Sequence, residues 1–328
     1  MLVGRLATRS VESPLMVFSG RGNPDLSAKI AEKLEFPLGR VMLKTFADGE
    51  IYCWFEDSIR GADVFIVQST CRPVNENLME LLIMTQAARL ASARRITAVM
   101  PWFGYSRQDK KSRPREPITA KLVADLLQAA GANRVLTMDL HAGQLQGFFD
   151  MPCDHMTAVP MLAEYFHMKD LGETVVVAPD AGAVKLAKRF ADRLGTSIAM
   201  MSKLRPAHNV SRVLGVIGDV KDKTAIIVDD IIDTAGTICN GAEALMENGA
   251  KAVYTAVTHP VLSDPAYDRV ADSALKELVV TDTIPLRVDR QRDKFTVLST
   301  AEILADTIRN VYMNESVSAL FQGENQLF

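Results

Sequence analysis

Short runs of apolar, largely β-branched residues recur along the chain, separated by longer stretches of mixed polarity. Runs of four to six such residues are typical of buried parallel strands, because both faces of the strand are covered. We predict strands of this kind at 64–67, 96–100, 135–138, 175–178, 225–228 and 253–257.

The stretches between these runs carry apolar residues at spacings of three and four, as helices that cover a sheet require. Residues 120–130 and 183–194 show this pattern. Strands that alternate with such helices predict an α/β fold of mainly parallel sheets flanked by helices.

The length of the chain, 328 residues, exceeds one average domain and suits two. The strand and helix patterns pause between Pro152 and Pro160. We therefore expect an N-terminal domain at 1–155, a C-terminal domain at 156–313, and a tail at 314–328 that docks back on the protein.

The charge balance gives no reason to expect a polyanionic partner. The 37 basic and 40 acidic residues leave a formal charge of -3, which argues against binding to nucleic acid or to an anionic membrane. Isolated cysteines at 53, 71, 153 and 239 argue against a disulfide framework or a zinc site. No run approaches the roughly 18 apolar residues of a membrane span, so we expect a cytoplasmic protein.

The most informative motif is an apolar strand that runs into acids and then into a turn of small residues, at 225–237. A helix pattern follows from about Ile238. Backbone N–H groups, threonine hydroxyls and a helix dipole around one point predict an anion pocket, and Asp229 and Asp230 could accept hydrogen bonds from sugar hydroxyls. The plainer alternative is that Asp233 is only a helix N-cap and that the other acids are solvated.

A second charged segment supplies five cations within nine residues, Arg107, Lys110, Lys111, Arg113 and Arg115. Such a loop could close over a triphosphate, although a basic run considered alone is more often a solvated or nucleic-acid-binding surface. The chain has no P-loop. Residues 20–25 begin a dinucleotide fingerprint, but Asp25 stands where its third glycine should be.

Two further segments could hold anions. Asp180 follows a predicted strand in a small-residue turn that opens a helix, which suits a diphosphate. Lys203 and Arg205 point to the same side of an extended chain, with Leu204 opposite. Considered alone, the second segment reads as an ordinary surface loop.

The motif at 225–237 resembles the phosphoribosyl-binding loop of type I phosphoribosyltransferases and of phosphoribosyl diphosphate synthases. Similarity over about 18–321 favours the synthases, also called ribose-phosphate diphosphokinases, of the phosphate-regulated bacterial type. The segments that carry it are 46–50, 68–70, 105–109, 139–141, 144–150, 219–220 and 315–318. The resemblance implies two tandem phosphoribosyltransferase-type domains.

The resemblance also implies an Mg²⁺-dependent enzyme that transfers the diphosphate of ATP to the C1 hydroxyl of ribose 5-phosphate, giving 5-phosphoribosyl 1-diphosphate and AMP. The implied metal contacts are His141 and Asp180, but because Mg²⁺ prefers oxygen ligands, His141 could instead act through water or donate to phosphate. The implied ATP contacts are Arg107 and Gln108, while Phe46, Asp48 and Glu50 receive adenosine from a neighbouring subunit and Phe46 stacks on adenine. The implied catalytic residues are Lys203 and Arg205, and the implied ribose-5-phosphate contacts are Asp229, Asp230, Asp233, Thr234, Ala235, Gly236 and Thr237.

For regulation, the resemblance implies a hexamer built from dimers and an effector site where phosphate activates and ADP inhibits. The matching positions are Gln146, Asp154, Ser316 and Ser318. Two positions depart from the family pattern. Leu204 stands where a basic residue is usual, and His155 replaces an asparagine, so we expect an effector response that depends on pH.

Two alternatives are open, one within enzymes and one from another class of function. A phosphoribosyltransferase would consume phosphoribosyl diphosphate, and would need a nucleobase site but no ATP. A catalytically silent regulatory relative would keep the fold without turnover. Its hallmark would be loss of the charged loop or of Lys203 and Arg205, both of which persist here.

Overall fold

The computed structural model describes residues 13–204, 213–290 and 293–321. The side chains at 203, 204, 213, 214, 288 and 321 lie outside this description.

The first half forms a five-stranded sheet in the order β1-β4-β5-β6-β7, with every neighbouring pair parallel. A separate antiparallel hairpin, β2-β3, joins the first two strands of this sheet in sequence. The strands are β1 (Leu15–Ser19), β2 (Val41–Thr45), β3 (Ile51–Phe55), β4 (Asp63–Val67), β5 (Arg95–Met100), β6 (Arg134–Met138) and β7 (Cys153–Met156).

The second half forms a seven-stranded sheet in the order β10-β9-β8-β11-β12-β13-β14. Its strands run parallel except β10, which pairs antiparallel with β9 at one edge. They are β8 (Thr174–Ala178), β9 (Ser197–Leu204), β10 (Val213–Ile217), β11 (Thr224–Ile232), β12 (Ala252–Pro260), β13 (Leu275–Thr281) and β14 (Phe295–Leu298).

Helices connect the parallel strands, because a parallel pair needs a long crossover. In α5 the apolar residues Ala187, Phe190 and Ala191 are buried, and Gly195 ends the helix in the left-handed conformation that favours glycine. The helices are α1 (Pro24–Leu34), α2 (Val74–Leu90), α3 (Thr119–Ala130), α4 (Val159–His167), α5 (Val184–Leu194), α6 (Gly236–Glu247), α7 (Ala266–Asp272) and α8 (Ala301–Met313).

The two halves share one of their apolar cores. A cluster of buried side chains contains Val17 and Ile30 from the first half together with Val176 and Leu304 from the second. Helix α8 packs directly against α1. Since each fully buried aliphatic side chain contributes about 1.5–3 kcal/mol relative to exposure, this shared cluster holds the halves together strongly.

Polar contacts fix the same junction. The Asp282 carboxylate accepts hydrogen bonds from Lys29 Nζ at 3.0 Å and from the backbone N–H of Thr300 at 2.7 Å. Asn23 Nδ2 donates to the Asp282 carbonyl at 2.7 Å. These bonds hold the start of α1 against the carboxyl end of β13.

The predicted α/β fold is confirmed, and each predicted strand falls within an observed one. The sequence predicted a break in the strand and helix pattern around residues 153–156. This prediction is wrong, because the segment forms β7. Strand β7 is only four residues long, but it pairs with β6 and buries His155 and Met156. Within the described residues, no helix is long and apolar enough to cross a membrane.

Candidate active site between the two halves

The predicted anion pocket lies where β11 ends and α6 begins. Ala235 precedes α6 with a φ of 61°, a left-handed conformation that few residues other than glycine adopt. This turn leaves the first N–H groups of a 12-residue helix available to an anion. The side chains of Thr234 and Thr237 are exposed beside it.

Asp229 and Asp230 are half-buried neighbours at the end of β11, and the Asp230 N–H donates to Asp229 Oδ1 at 2.9 Å. Burial and the adjacent charge of Asp230 raise the pKa of Asp229 well above its ordinary value. Burial also pushes the pKa of Asp230 upward, but hydrogen bonds from His141 and Asp229 outweigh it and the net shift is downward. Asp230 therefore holds the negative charge of the pair.

His141, from the first half, reaches across to this pair. Its Nδ1 lies 2.7 Å from Asp230 Oδ2. The hydrogen bond to Asp230 raises the pKa of His141, which favours the protonated imidazole. A protonated imidazole donates from both nitrogens, so the contact with Asp230 is a hydrogen bond that orients the His141 ring.

The backbone that carries His141 is held by Asp139, which lies in a segment that carries the family resemblance, and by Thr258 and His259, which were not predicted from the sequence. Asp139 Oδ2 accepts from Thr258 Oγ1 at 2.7 Å, and His259 Nε2 lies 3.0 Å from the carbonyl of Met138. Thr258 and His259 lie near the end of β12 in the second half. The only sequence feature that could have pointed to them is a pair of polar residues at the end of an apolar strand. These bonds dock the 138–141 segment on the second sheet.

His155 also holds this segment, because its Nε2 accepts a hydrogen bond from the Leu140 N–H at 2.9 Å. The side chain is 3% exposed. A proton on Nε2 would break this bond, and the pH-dependent effector response expected from His155 stays a prediction.

The first basic residue of the charged loop makes a second link between the halves. Arg107 Nη1 lies 2.6 Å from Asp233 Oδ2 in the turn before α6. Gln108 Oε1 accepts from Thr119 Oγ1 at 2.6 Å, at the start of α3. The remaining cations of the loop, Lys110, Lys111, Arg113 and Arg115, are exposed.

Asp180 lies in the turn between β8 and α5. Its Oδ1 accepts from the N–H groups of Gly182 at 2.8 Å and Ala183 at 3.2 Å, which orders the turn. The exposed Asp180 carboxylate is near enough to Asp229 to help raise the pKa of that residue. The three acids thus lie in one electrostatic neighbourhood.

No group of three or more histidine, cysteine or acidic side chains in the described ranges could hold a metal ion. Mg²⁺ is commonly bound through one or two carboxylates together with substrate phosphates, so this donor set fits a metal that arrives with a nucleotide. Asp180 has the better chemistry of the two predicted contacts, since His141 is engaged by Asp230.

The predicted adenosine contacts lie together at the turn of the β2-β3 hairpin. The Glu50 N–H donates to Asp48 Oδ1 at 3.1 Å, and the Phe46 ring lies 5.9 Å from that of Tyr52. The Phe46 side chain is 50% exposed. Among the described residues, no hydrogen bond or ion pair joins this turn to the loops after β8 and β11.

Two predicted residues cannot be placed. Arg205 lies outside the described residues, and so does the side chain of Lys203, whose backbone is next to last in β9 and pairs with Leu214 of β10. Their predicted catalytic role stays a prediction.

The predicted effector residues line one cavity of about 370 Å³. Ser316 Oγ lies 3.0 Å from Ser318 Oγ, and Asn310 Nδ2 donates to the Ser316 carbonyl at 3.0 Å. Residues 316–318 line this cavity together with residues of the first half. The lining is Gln146, Cys153, Asp154, His155, Ser316, Val317 and Ser318.

Comparisons with known proteins span almost the whole chain. Residues 15–131 match the N-terminal domain of ribose phosphate pyrophosphokinase, and residues 202–322 match the phosphoribosyl synthetase-associated domain. The chain is 54% identical to ribose-phosphate pyrophosphokinase of Clostridium perfringens over 94% of this chain and 98% of that protein. The corresponding protein of Bacillus cereus is 52% identical over 96% and 100%. A crystal structure of phosphoribosylpyrophosphate synthetase from Mycobacterium smegmatis gives a TM-score of 0.88 at 47% identity, over 92% of this chain and 100% of that chain.

Proposed function

The chain belongs to the ribose-phosphate pyrophosphokinase family, and from that premise we propose how its residues share the reaction. The enzyme transfers the diphosphate of ATP to the C1 hydroxyl of ribose 5-phosphate and needs a metal ion. The phosphoribosyltransferase and silent-subunit alternatives are set aside, because relatives named as pyrophosphokinases match nearly the full length.

The sugar-phosphate site is the turn before α6. Its free helix N-H groups suit the 5-phosphate, and the charged Asp230 beside Asp229 suits the vicinal hydroxyls of ribose. The observation that supports this most directly is that Arg107 and His141 of the first half meet Asp233 and Asp230 at this turn. ATP contacts and sugar contacts are then adjacent, as direct transfer requires.

Mg²⁺ is the ion we assign, with Asp180 and His141 as the protein contacts and ATP phosphates completing its shell. When bound, it would supply positive charge that offsets the negative charge developing on the transferred diphosphate. His141 would bind it after losing its proton, or would donate to phosphate while protonated.

For the chemical step, the C1 hydroxyl attacks the β-phosphorus and AMP leaves. Lys203 and Arg205 stabilise negative charge on the transferred diphosphate, and the basic loop closes to exclude water. Phe46, Asp48 and Glu50 bind the adenosine of a neighbouring subunit, which agrees with the exposure of Phe46. A hexamer in the cytoplasm is the setting we propose.

The cavity around residues 316–318 is the proposed effector site, with phosphate as activator and ADP as inhibitor. Its serine hydroxyls and Gln146 amide are donors suited to phosphate oxygens. We propose the division 1–155, 156–313 and 314–328 for the chain, and the cavity lies between residues 316–318 and the segments at 146 and 153–155.

The reaction is tested by incubating the protein with ATP, Mg²⁺ and ribose 5-phosphate and resolving the nucleotides by chromatography. AMP with phosphoribosyl diphosphate is expected, and ADP or unchanged ATP would contradict the function.

The sugar-phosphate site is tested with Thr237→Val, which removes a phosphate donor with little change in volume. This variant should raise the KM for ribose 5-phosphate and leave the KM for ATP nearly intact.

A further inference from the structure

The side chain of Arg269 on α7 contacts the backbone of the turn before α6. Its Nη1 donates to the carbonyl oxygen of Thr234 at 2.9 Å. A Cβ added at Gly236 would lie 3.5 Å from the same nitrogen. The guanidinium therefore lies against the first residue of α6 as well as against the turn that precedes it.

This hydrogen bond fixes the orientation of one peptide group. The carbonyl of Thr234 and the N–H of Ala235 belong to the same planar trans peptide and point in opposite directions. Because Arg269 holds the carbonyl on its own side, the N–H of Ala235 is directed away from Arg269. A donor in the turn is thereby ordered before any anion binds, which reduces the ordering cost of binding.

The charge of Arg269 is also distinctive. Within the described ranges, no carboxylate forms an ion pair with it, whereas Arg287 pairs with Asp264 and Asp289. Arg290, nearby in sequence, pairs with Asp264 and Asp268. Arg269 thus adds positive potential beside a turn that contains an acid, which favours a doubly charged phosphate.

From these contacts we infer that Arg269 is a positioning residue for the sugar-phosphate turn: it orients the peptide between Thr234 and Ala235 and supplies charge that favours the 5-phosphate. This inference rests on the proposed sugar-phosphate site. The Arg269 side chain contacts the backbone of the turn. Replacing Arg269 should therefore weaken sugar-phosphate binding and leave the rate of the transfer step unchanged.

The test compares Arg269→Gln and Arg269→Lys with the matched control Arg287→Gln, which removes the same charge from an arginine already paired with acids. Steady-state kinetics at fixed ionic strength give both KM values and kcat. Loss of one hydrogen bond from a charged donor predicts a rise of about 10- to 150-fold in the KM for ribose 5-phosphate for Arg269→Gln. The KM for ATP and kcat should stay within about twofold, and Arg269→Lys should lie between Arg269→Gln and wild type.

A second readout separates positioning from a general loss of structure. The KM for ribose 5-phosphate should rise with added salt more steeply in wild type than in Arg269→Gln, because the variant lacks the screened charge. Melting temperatures should agree for all variants. An unchanged KM for ribose 5-phosphate in Arg269→Gln, or an equal rise in both KM values, would overturn the inference.

Thr237→Val, measured in parallel, distinguishes this inference from the proposed site. If Thr237→Val weakens ribose 5-phosphate binding and Arg269→Gln does not, the role of Arg269 is refuted and the site stands. If neither variant changes that binding, the site assignment itself is wrong, and the inference is refuted with it.

Discussion

Arg107 Nη1 lies 2.6 Å from Asp233 Oδ2, so the charged loop of the first half is joined to the sugar-phosphate turn of the second. Both side chains retain appreciable exposure, at 47% and 29%. An ion pair of this kind contributes only about 0.2–1 kcal/mol to stability, so the pair does little to hold the halves together. Its main consequence is for substrate binding.

We therefore expect Arg107→Ala to separate stability from activity. The melting temperature should hardly change, whereas the KM for ATP should rise about tenfold or more, because a charge-assisted contact to phosphate is lost. Lys188→Ala on α5 is the control, since it removes an exposed pair with Asp192. Equal KM values for Arg107→Ala and Lys188→Ala would contradict the ATP contact.

Lys203→Ala should lower kcat far more than it raises either KM, because its charge meets the diphosphate mainly in the transition state. Loss of one such donor lowers kcat on the order of a hundredfold or more. Steady-state kinetics with both substrates varied make the measurement. A wild-type kcat would remove Lys203 from the catalytic assignment.

Phe46→Ala should act on ATP binding alone. Stacking of a base on an aromatic ring contributes about 1–3 kcal/mol, which corresponds to a rise of roughly 5- to 150-fold in the KM for ATP. Met168→Ala, which truncates another exposed apolar side chain, is the control. If the adenosine comes from a neighbouring subunit, mixing Phe46→Ala with an ATP-competent, sugar-defective variant should restore part of the activity.

The effector cavity is tested with Ser316→Ala/Ser318→Ala. Removal of two hydroxyls at its rim should abolish phosphate activation or ADP sensitivity while basal turnover remains. The measurement is rate against phosphate concentration, with and without ADP, at fixed ionic strength and saturating substrates. Identical regulatory profiles in variant and wild type would show that effectors bind elsewhere.

A fifth prediction concerns acid stability. Burial raises the pKa of Glu277, but hydrogen bonds from Lys169, Thr296 and Tyr165 outweigh it and lower the pKa below its ordinary value. Glu277 therefore binds a proton more readily in the unfolded chain than in the folded protein. Its contribution to folding stability is complete above the ordinary glutamate pKa of about 4.3 and is lost as pH falls through the lower pKa of the folded state.

Glu277→Gln should accordingly be less stable than wild type at pH 7, with a difference that shrinks as the solution is acidified below about pH 4.3. Urea unfolding monitored at several pH values measures this. A stability difference that does not vary with pH would show that the charge of Glu277 is not what stabilises the contact between α4 and β13.

The strands of both sheets were predictable where both faces are buried, because continuous apolar runs such as 64–67 and 225–228 permit few other structures. The β2-β3 hairpin was not predicted, since its strands are short and partly exposed, with Trp54 at 51%. Strand β7 was missed because Asp154 and His155 interrupt its apolar pattern. Tertiary pairing with β6 overrides that local pattern.

The candidate site divides in the same way. Local features placed Asp229, Asp230 and Thr237 around one helix start, because strand, turn and helix are contiguous there. The contact between His141 and Asp230 joins residues 89 positions apart, and docking of the two halves brings them together. The pattern of apolar residues along the chain does not predict contacts between residues so far apart in sequence. The same holds for the contact of Arg269 with the carbonyl of Thr234.

The return of α8 to α1 has a consequence for the synthesis of this protein. Leu304 and Ile308 belong to the cluster that contains Val17 and Ile30, so the apolar face of α1 is covered by a helix that leaves the ribosome long after α1 itself. A nascent chain that stops before residue 301 exposes that face, however complete its first sheet is. Chaperone binding to ribosome-bound chains should therefore persist until α8 emerges, and should decline once it has docked.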